Sequence, residues 1–196
     1  MVLCPGTRNN IIAFNTADGT GGGCWDSGNL YNSTIYGNQA TSGGGCYQSS
    51  GEILGCIFWN NSAKEFPQLQ NVENASYCCI QETSGGSNNI QDNPGFEDET
   101  RLDFHLRDGS PCIDAGPPEP EENDACRPPG SGEERNDMGV YGGPENCRFL
   151  GITYRDIIDH ILGKIALTGT RREEADQNRD GRIDVSDAIR LIRNNP

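Results

Sequence analysis

The sequence predicts a mainly β protein, a short parallel β-helix followed by a small α-helical module built around a metal-binding loop. Three observations predict it: a repeat of 23 residues in the first third, a composition rich in Gly with only 33% hydrophobic residues, and a run of alternating oxygen side chains near the carboxyl end. A fixed repeat dictates architecture before any motif does, because each unit buries its apolar face on its neighbours. So low a hydrophobic content argues against one large conventional core. The formal net charge of -14 argues against nucleic acid or an anionic membrane as partner. Apolar runs are far short of the roughly 20 residues that cross a bilayer, and the opening MVLCPGTRNN lacks the apolar core of a signal peptide. The charge is uneven: residues 1–91 carry 6 acidic and 2 basic side chains, 92–145 carry 15 and 4, and 146–196 carry 8 and 9. This places one domain at 1–145, coils with a closing segment and an acidic loop, and a second at 146–196, a helix followed by the oxygen-rich loop and a further helix.

The repeat aligns Asn10 to Ala17, Ser33 to Ala40 and Cys56 to Ala63, with Asn15, Asn38 and Asn61 in register and a fourth copy starting at Cys79. GGGC recurs at 21–24 and 43–46. Short apolar runs between Gly-rich corners, with no helical period, suit one rung of a parallel β-helix. Leucine-rich repeats share the length but need a regular Leu pattern, which is absent, and an antiparallel meander is the alternative. Stacked rungs lie about 4.8 Å apart. Asn15, Asn38 and Asn61 then form a ladder of side-chain amides, Ile12, Ile35 and Phe58 an apolar stack, and Tyr36 and Trp59 the next position along.

Later residues carry a family resemblance. Asn93-Pro94-Gly95-Phe96, then Leu106 with Ser110-Pro111-Cys112-Ile113-Asp114-Ala115-Gly116, then Asp137-Met138-Gly139-Val140-Tyr141-Gly142 resemble the segments that finish right-handed parallel β-helix repeat proteins of bacterial surfaces. Asn93 stands where that family usually has Asp. The resemblance covers roughly residues 9–142 and implies the last coils of a solenoid from a secreted or cell-surface parent. Nothing before Asn9 reads as an amphipathic cap, so an uncovered first coil is expected either to continue amino-terminally or to self-associate.

Nine cysteines cannot all pair within the chain. Cys24 with Cys46, and Cys56 with Cys79, are expected on adjacent coils within disulfide reach, and bridges and buried thiols both remain open. Zinc is disfavoured because Cys78-Cys79 is not CxxC and His105 and His160 lack ligand spacing. Residues 116–135, dense in Pro, Gly and acid, are expected to form a solvated loop, with an acidic binding surface as the alternative.

From Asp176 the sequence reads DQNRDGRIDVSD. Asp176, Asn178, Asp180, Asp184 and Asp187 occupy loop positions 1, 3, 5, 9 and 12, and the Arg182 carbonyl occupies position 7, the pattern with which hard oxygens surround one Ca²⁺. Gly181 permits the turn and Ile183 pins the loop to a small core. Asp rather than Glu at position 12, and a helix only after the loop, resemble dockerin modules, which are EF-hand-like tandem repeats that dock onto cohesin proteins. An echo of Ile183–Ile189 lies at 152–158, but Cys147 and Phe149 stand where its ligands belong. That copy keeps only a helix whose Ile157, Ile158, Ile161, Leu162 and Ile165 face the second helix. One Ca²⁺ follows.

The β-helix fold also hosts lyases and glycosidases. Residues 9–63 hold only Asp18, Asp26 and Glu52 and no Lys or Arg, a poor lyase site, and no G-x-S-x-G elbow occurs. The weak catalytic candidates are Asp103, His105, Asp108 and Asp114, where a histidine beside carboxylates can act as a base. Two functions stand: a calcium-binding surface module that recognises polysaccharide or a cohesin-like protein, with Tyr31, Tyr36, Tyr47 and Trp59 as stacking candidates, or a calcium-dependent hydrolase of an ester, lactone or glycan.

Overall fold

The computed structural model describes residues 7–81, 86–149, 158, 160–163, 175–177 and 181–194. Two compact units divide the chain, Met1–Phe149 and Leu150–Pro196. The first is a parallel β-solenoid of about three turns. Each turn contributes one short strand to each of three parallel sheets. The first sheet holds β1 (Thr7–Arg8), β4 (Leu30–Tyr31), β7 (Ile53–Leu54) and β10 (Ala75–Ser76). The second holds β2 (Ile11–Ala13), β5 (Thr34–Tyr36), β8 (Ile57–Trp59) and β11 (Cys79–Ile80). The third holds β3 (Cys24–Ser27), β6 (Cys46–Ser49) and β9 (Leu69–Gln70).

The register follows the repeat. Ile12 pairs with Ile35 and Ile35 with Phe58, while Tyr36 pairs with Trp59. Between strands the chain turns through left-handed residues that recur at the same place in successive coils: Asn9, Asn32, Gly55 and Tyr77 at one corner, Phe14, Gly37 and Asn60 at the next. Only Gly, and to a lesser degree Asn, adopts this conformation without strain, which is why the composition is rich in both. The GGGC motif has a second cause. A Cβ on Gly22 would lie 2.4 Å from the Gly44 carbonyl oxygen, and one on Gly44 would lie 2.5 Å from that of Pro67. Coils therefore stack backbone on backbone there, with no room for a side chain.

Asn38 shows how the interior satisfies its polar groups. Its side-chain oxygen accepts from the Asn15 backbone N–H and side-chain amide at 3.0 and 2.9 Å, and its own amide donates to Ile12 O and to Asn61 Oδ1 at 2.8 and 2.9 Å. The ladder ends where the Asn61 amide donates to Gln68 Oε1. A buried amide is tolerated only when paired in this way.

Both faces of the second sheet are buried. Ile35, Phe58 and Ile80 face the solenoid interior with Leu30, Ile53 and Cys56. The alternate side chains, Tyr36, Ile57 and Cys79, pack outward against Phe96, Phe104, Cys112, Met138 and Val140 of the closing segment. Within that segment β12 (Phe96–Asp98) and β13 (Asp103–Leu106) form an antiparallel hairpin, and Phe96 and Phe104 stand 6.1 and 5.2 Å from the Tyr36 ring. The Asp137–Gly142 motif then runs along the left-handed corner rather than across a coil end. Asn32 Nδ2 donates to Asn136 Oδ1 and Asp137 O, the Gly139 N–H donates to Gly55 O, and Asn9 Nδ2 donates to Val140 O and Gly142 O. This backbone, residues 136–142, is thus a closing strap that ties three successive coils. Gly139 is required because a Cβ there would meet Ile57 Cδ1 at 2.7 Å.

Three expectations are corrected. Cys56 stacks on Cys78, whose Sγ accepts from the Cys56 N–H at 3.3 Å, while Cys79 pairs with Ile57. The fourth coil is one residue shorter than the 23-residue period assumed: Leu69 to Ala75 spans one residue fewer than Cys46 to Ile53. Of the two states left open for the coil cysteines, Cys24, Cys46, Cys56, Cys78, Cys79 and Cys112 are buried thiols here, and among the described residues the disulfide joins Cys126 to Cys147, a pair not foreseen. Cys147 therefore serves the first unit instead of standing in a degenerate calcium loop. Residues 116–135 are not simply a solvated loop either. Gly116, Pro117, Asp124, Pro129 and Gly130 are buried, and Glu122 forms a two-point ion pair with Arg8 at 2.6 and 2.8 Å.

In the second unit the described helix is α1 (Val185–Asn194), and Ile158, His160 and Ile161 are also helical. A two-helix dockerin or EF-hand module is not established by these elements. Ile158, Ile161 and Leu162 are exposed where a face packed on a second helix was expected, and Ile157 and Ile165 lie outside the described residues. No described helix is long and apolar enough to cross a membrane.

Candidate functional site

Three places bear on function. At the predicted calcium loop, Asp176 Oδ2 accepts the Gly181 N–H at 2.7 Å, and Gly181 takes φ +83°. Position 1 thereby clasps position 6 and folds the loop back on itself. Downstream, Asp184 Oδ1 accepts from the Ser186 N–H at 2.7 Å and from its hydroxyl, and Asp187 Oδ2 accepts the Asp184 N–H at 2.9 Å. This reciprocal pair caps α1, whose unsatisfied first N–H groups and positive dipole end favour carboxylates. The Ser186 hydrogen bonds hold the Asp184 carboxyl below its ordinary range. Asp187 is fully buried, Ile183 is half-buried and Arg182 is exposed. Asn178 and Asp180 lie outside the described residues. Among the described residues no three His, Cys, Asp or Glu side chains gather as a metal site. The donor set is nonetheless chemically suited to a hard cation: Asp176, Asp184 and Asp187 are carboxylates on a loop closed by glycine.

At the second place, the weak catalytic candidates separate. Asp103 Oδ1 lies 2.6 Å from His105 Nδ1, and this bond holds the Asp103 carboxyl below its ordinary value. The His105 ring stacks on Tyr141 at 3.7 Å with an interplanar angle of 7°, and Phe149 meets Tyr141 edge-on. Burial raises the Tyr141 hydroxyl above its ordinary range. Asp108 follows the hairpin in an exposed turn, and Asp114 is committed elsewhere, its two oxygens accepting the Glu133 N–H at 2.9 and 3.0 Å. The structure brings Asp103 and His105 together and leaves the other two apart.

The third place was missed in the sequence. Asp124 and Asp137, both buried, meet beneath the strap, where each perturbs the other's titration. Asp124 Oδ1 accepts from the Asp137 and Gly143 N–H groups at 3.1 and 2.5 Å, while Asp137 accepts from Asp114 and Ser131 at 2.8 and 2.6 Å. Asp124 Oδ2 is buried and takes no donor, so the ionised form is poorly solvated and a proton on the pair is favoured. Burial, then the neighbouring Asp137, pushes Asp124 up to about 7, and burial pushes Asp137 up to about 6. The signal was present as N-D at 123–124 and 136–137, but nothing in the spacing says that the two meet.

The stacking candidates also sort themselves. Tyr36 is buried, Trp59 packs against the second core, and Tyr31 is covered by the Arg8 guanidinium at 4.3 Å. Tyr47 alone stays in an outward row, where it pairs with Trp25 on one side and Gln70 on the other across the third sheet. Trp25 had not been singled out. No protein family, curated protein or solved structure matches the chain.

Proposed function

We propose that this chain is a recognition module of a secreted or cell-surface protein, a β-solenoid that presents an outward aromatic row to polysaccharide and carries a terminal loop that binds one Ca²⁺. The observation that carries this reading is the row Trp25, Tyr47 and Gln70 on the third sheet, two adjacent half-buried rings with an amide side chain next to Tyr47. Rigid aromatic faces with a polar neighbour suit sugar rings, whose C–H faces stack while their hydroxyls bond. The second and first sheets instead turn their side chains toward the closing segment and toward Arg8, which leaves the third as the docking face.

The calcium assignment rests on Asp176 and Gly181 closing the loop and on Asp187 at the start of α1. Asp176, Asp184 and Asp187, with Asn178, Asp180 and the Arg182 carbonyl, are the residues that would hold the ion. When bound, the ion neutralises carboxylates that otherwise repel and so orders the loop against the helix. The dockerin likeness extends this to a cohesin-like partner. Calorimetric titration with Ca²⁺, and a glycan array probed with calcium and with chelator, test the two halves separately. Heat released with a single-site isotherm, and glycan binding lost in Trp25→Ala and Tyr47→Ala, are expected. No heat removes the calcium assignment, and glycan binding unaffected by both substitutions removes the aromatic row.

Hydrolysis is the second reading, and the Asp103–His105 bond favours it, since an imidazole oriented by a carboxylate can act as a base. Turnover of an ester or glycan that survives His105→Ala disposes of it.

A further inference from the structure

Six cysteines of the solenoid unit are buried thiols, and they fall into three neighbouring pairs. Cys24 and Cys46 are register partners on β3 and β6. Their Cα atoms therefore stand about one strand spacing apart, about 4.8 Å, within the range of roughly 4.4–6.8 Å that a disulfide spans. The Cys56 N–H donates to Cys78 Sγ at 3.3 Å, so the two buried side chains stack on adjacent coils. Cys79, on the outer face of the second sheet, lies in the same buried cluster as Cys112 of the closing segment, and the two thiols interact there. The fourth neighbouring pair, Cys126 and Cys147, is already bridged, so a disulfide is part of this fold.

We propose that Cys24–Cys46, Cys56–Cys78 and Cys79–Cys112 are oxidation sites that close as three further disulfides when the chain folds in an oxidising compartment. In each, two S–H bonds break and one S–S bond forms, and the two electrons and two protons pass to a small-molecule disulfide, which is released as two thiols. The bridges tie the first coil to the second, the third to the fourth, and the fourth to the closing segment. Hydrophobic burial over a few residues per strand is a weak constraint on a solenoid this short, and covalent ties between adjacent coils supply what a large core otherwise would. Timing follows from reactivity. Burial and then the Cys78 hydrogen bond push the Cys56 thiol well up, and the Cys112 hydrogen bond and then burial do the same to Cys79. Attack needs a thiolate, so these pairs oxidise as the coils close, not after the interior is sealed.

The test refolds the full chain in a mixed oxidised and reduced glutathione buffer, denatures it with a thiol-alkylating reagent, counts labelled cysteines by intact mass, and maps the bridges by peptide analysis. Of nine cysteines the proposal leaves one thiol, Cys4, whereas the Cys126–Cys147 bridge alone leaves seven. One labelled thiol and the four named linkages are expected. Seven labelled thiols, or bridges joining other partners such as Cys56 with Cys79, overturn the proposal. In a Cys78→Ala variant the count rises from one to two with Cys56 as the new labelled site, and an unchanged count overturns that pair. Should this variant fail to fold, the map of the wild-type chain decides alone.

Discussion

Replacing Asp124 by Asn tests whether the closing strap is held by a shared proton. In the fold the Asp124 carboxyl titrates at about 7, against an ordinary value of 3.8. Each tenfold displacement of a proton equilibrium is about 1.4 kcal/mol, so this gap is worth on the order of 4 kcal/mol, and less if the buried pair relaxes. Because the folded value lies above the unfolded one, the native state binds the extra proton between them. Its contribution to stability is complete below about pH 4 and is lost as pH rises through about 7. The groups facing the pair are Asp114, which donates its N–H to Asp137, and the amides of Ser131 and Gly143. None is a cation, so nothing offsets the second negative charge once both carboxyls ionise. Asn keeps the oxygen that accepts from Asp137 and Gly143 and replaces the titrating hydroxyl with an NH₂. Urea unfolding across about pH 5 to 8 is the assay, read as the difference between variant and wild type so that other titrating groups cancel. The variant's stability relative to the wild type should rise by about 2–3 kcal/mol between about pH 5 and about pH 8. A difference that stays constant across this range, or one that favours the wild type as pH rises, refutes the shared proton.

Asn38→Ala removes four hydrogen bonds in the dry interior and leaves the Asn15 and Asn61 side chains without their neighbour, so unfolding should cost about 3–5 kcal/mol less in denaturant melts. Asn15→Ala, at the exposed end of the same ladder, should cost no more than about 1–2 kcal/mol. Phe58→Ala empties the centre of the Ile35–Phe58–Ile80 stack and should destabilise by about 3–5 kcal/mol by the same measurement. Cys126→Ser opens the loop closed by the Cys126–Cys147 bridge, whose separation is 21 residues, and should lower the unfolding free energy from denaturant melts by about 2–4 kcal/mol relative to a protein with the bridge intact.

The solenoid was legible because stacking makes equivalent positions obey one arithmetic. Asn15, Asn38 and Asn61, and Ile12, Ile35 and Phe58, stand in register since parallel strands pair side chain over side chain. The same arithmetic failed at Cys56 and Cys79, where a corner one residue shorter moved the partner to Cys78, and a corner length leaves no mark on the apolar pattern. Of the candidate sites, the Asp176–Gly181 turn and the capping pair Asp184 and Asp187 are local contacts and could be read from spacing. The Asp103–His105 bond is local as well, two residues apart along β13. His105 on Tyr141, Arg8 on Glu122, and Asp124 beside Asp137 are not local, and neither composition nor periodicity bears on them.

By itself the sequence determined the repeat and the residues that stand in register through its first three coils, because each follows from strand alternation in stacked parallel strands. The tertiary structure alone decided where the closing segment goes. Its apolar residues Phe96, Met138 and Val140 find a core only against the outer face of the second sheet, and its backbone acquires a role only when the corner groups of three coils stand in line to receive it. The same holds for the acid at residues 116–135: a chain dense in Asp and Glu reads as solvated until Asp124 is found beneath the strap, where backbone N–H groups rather than water bind its carboxyl.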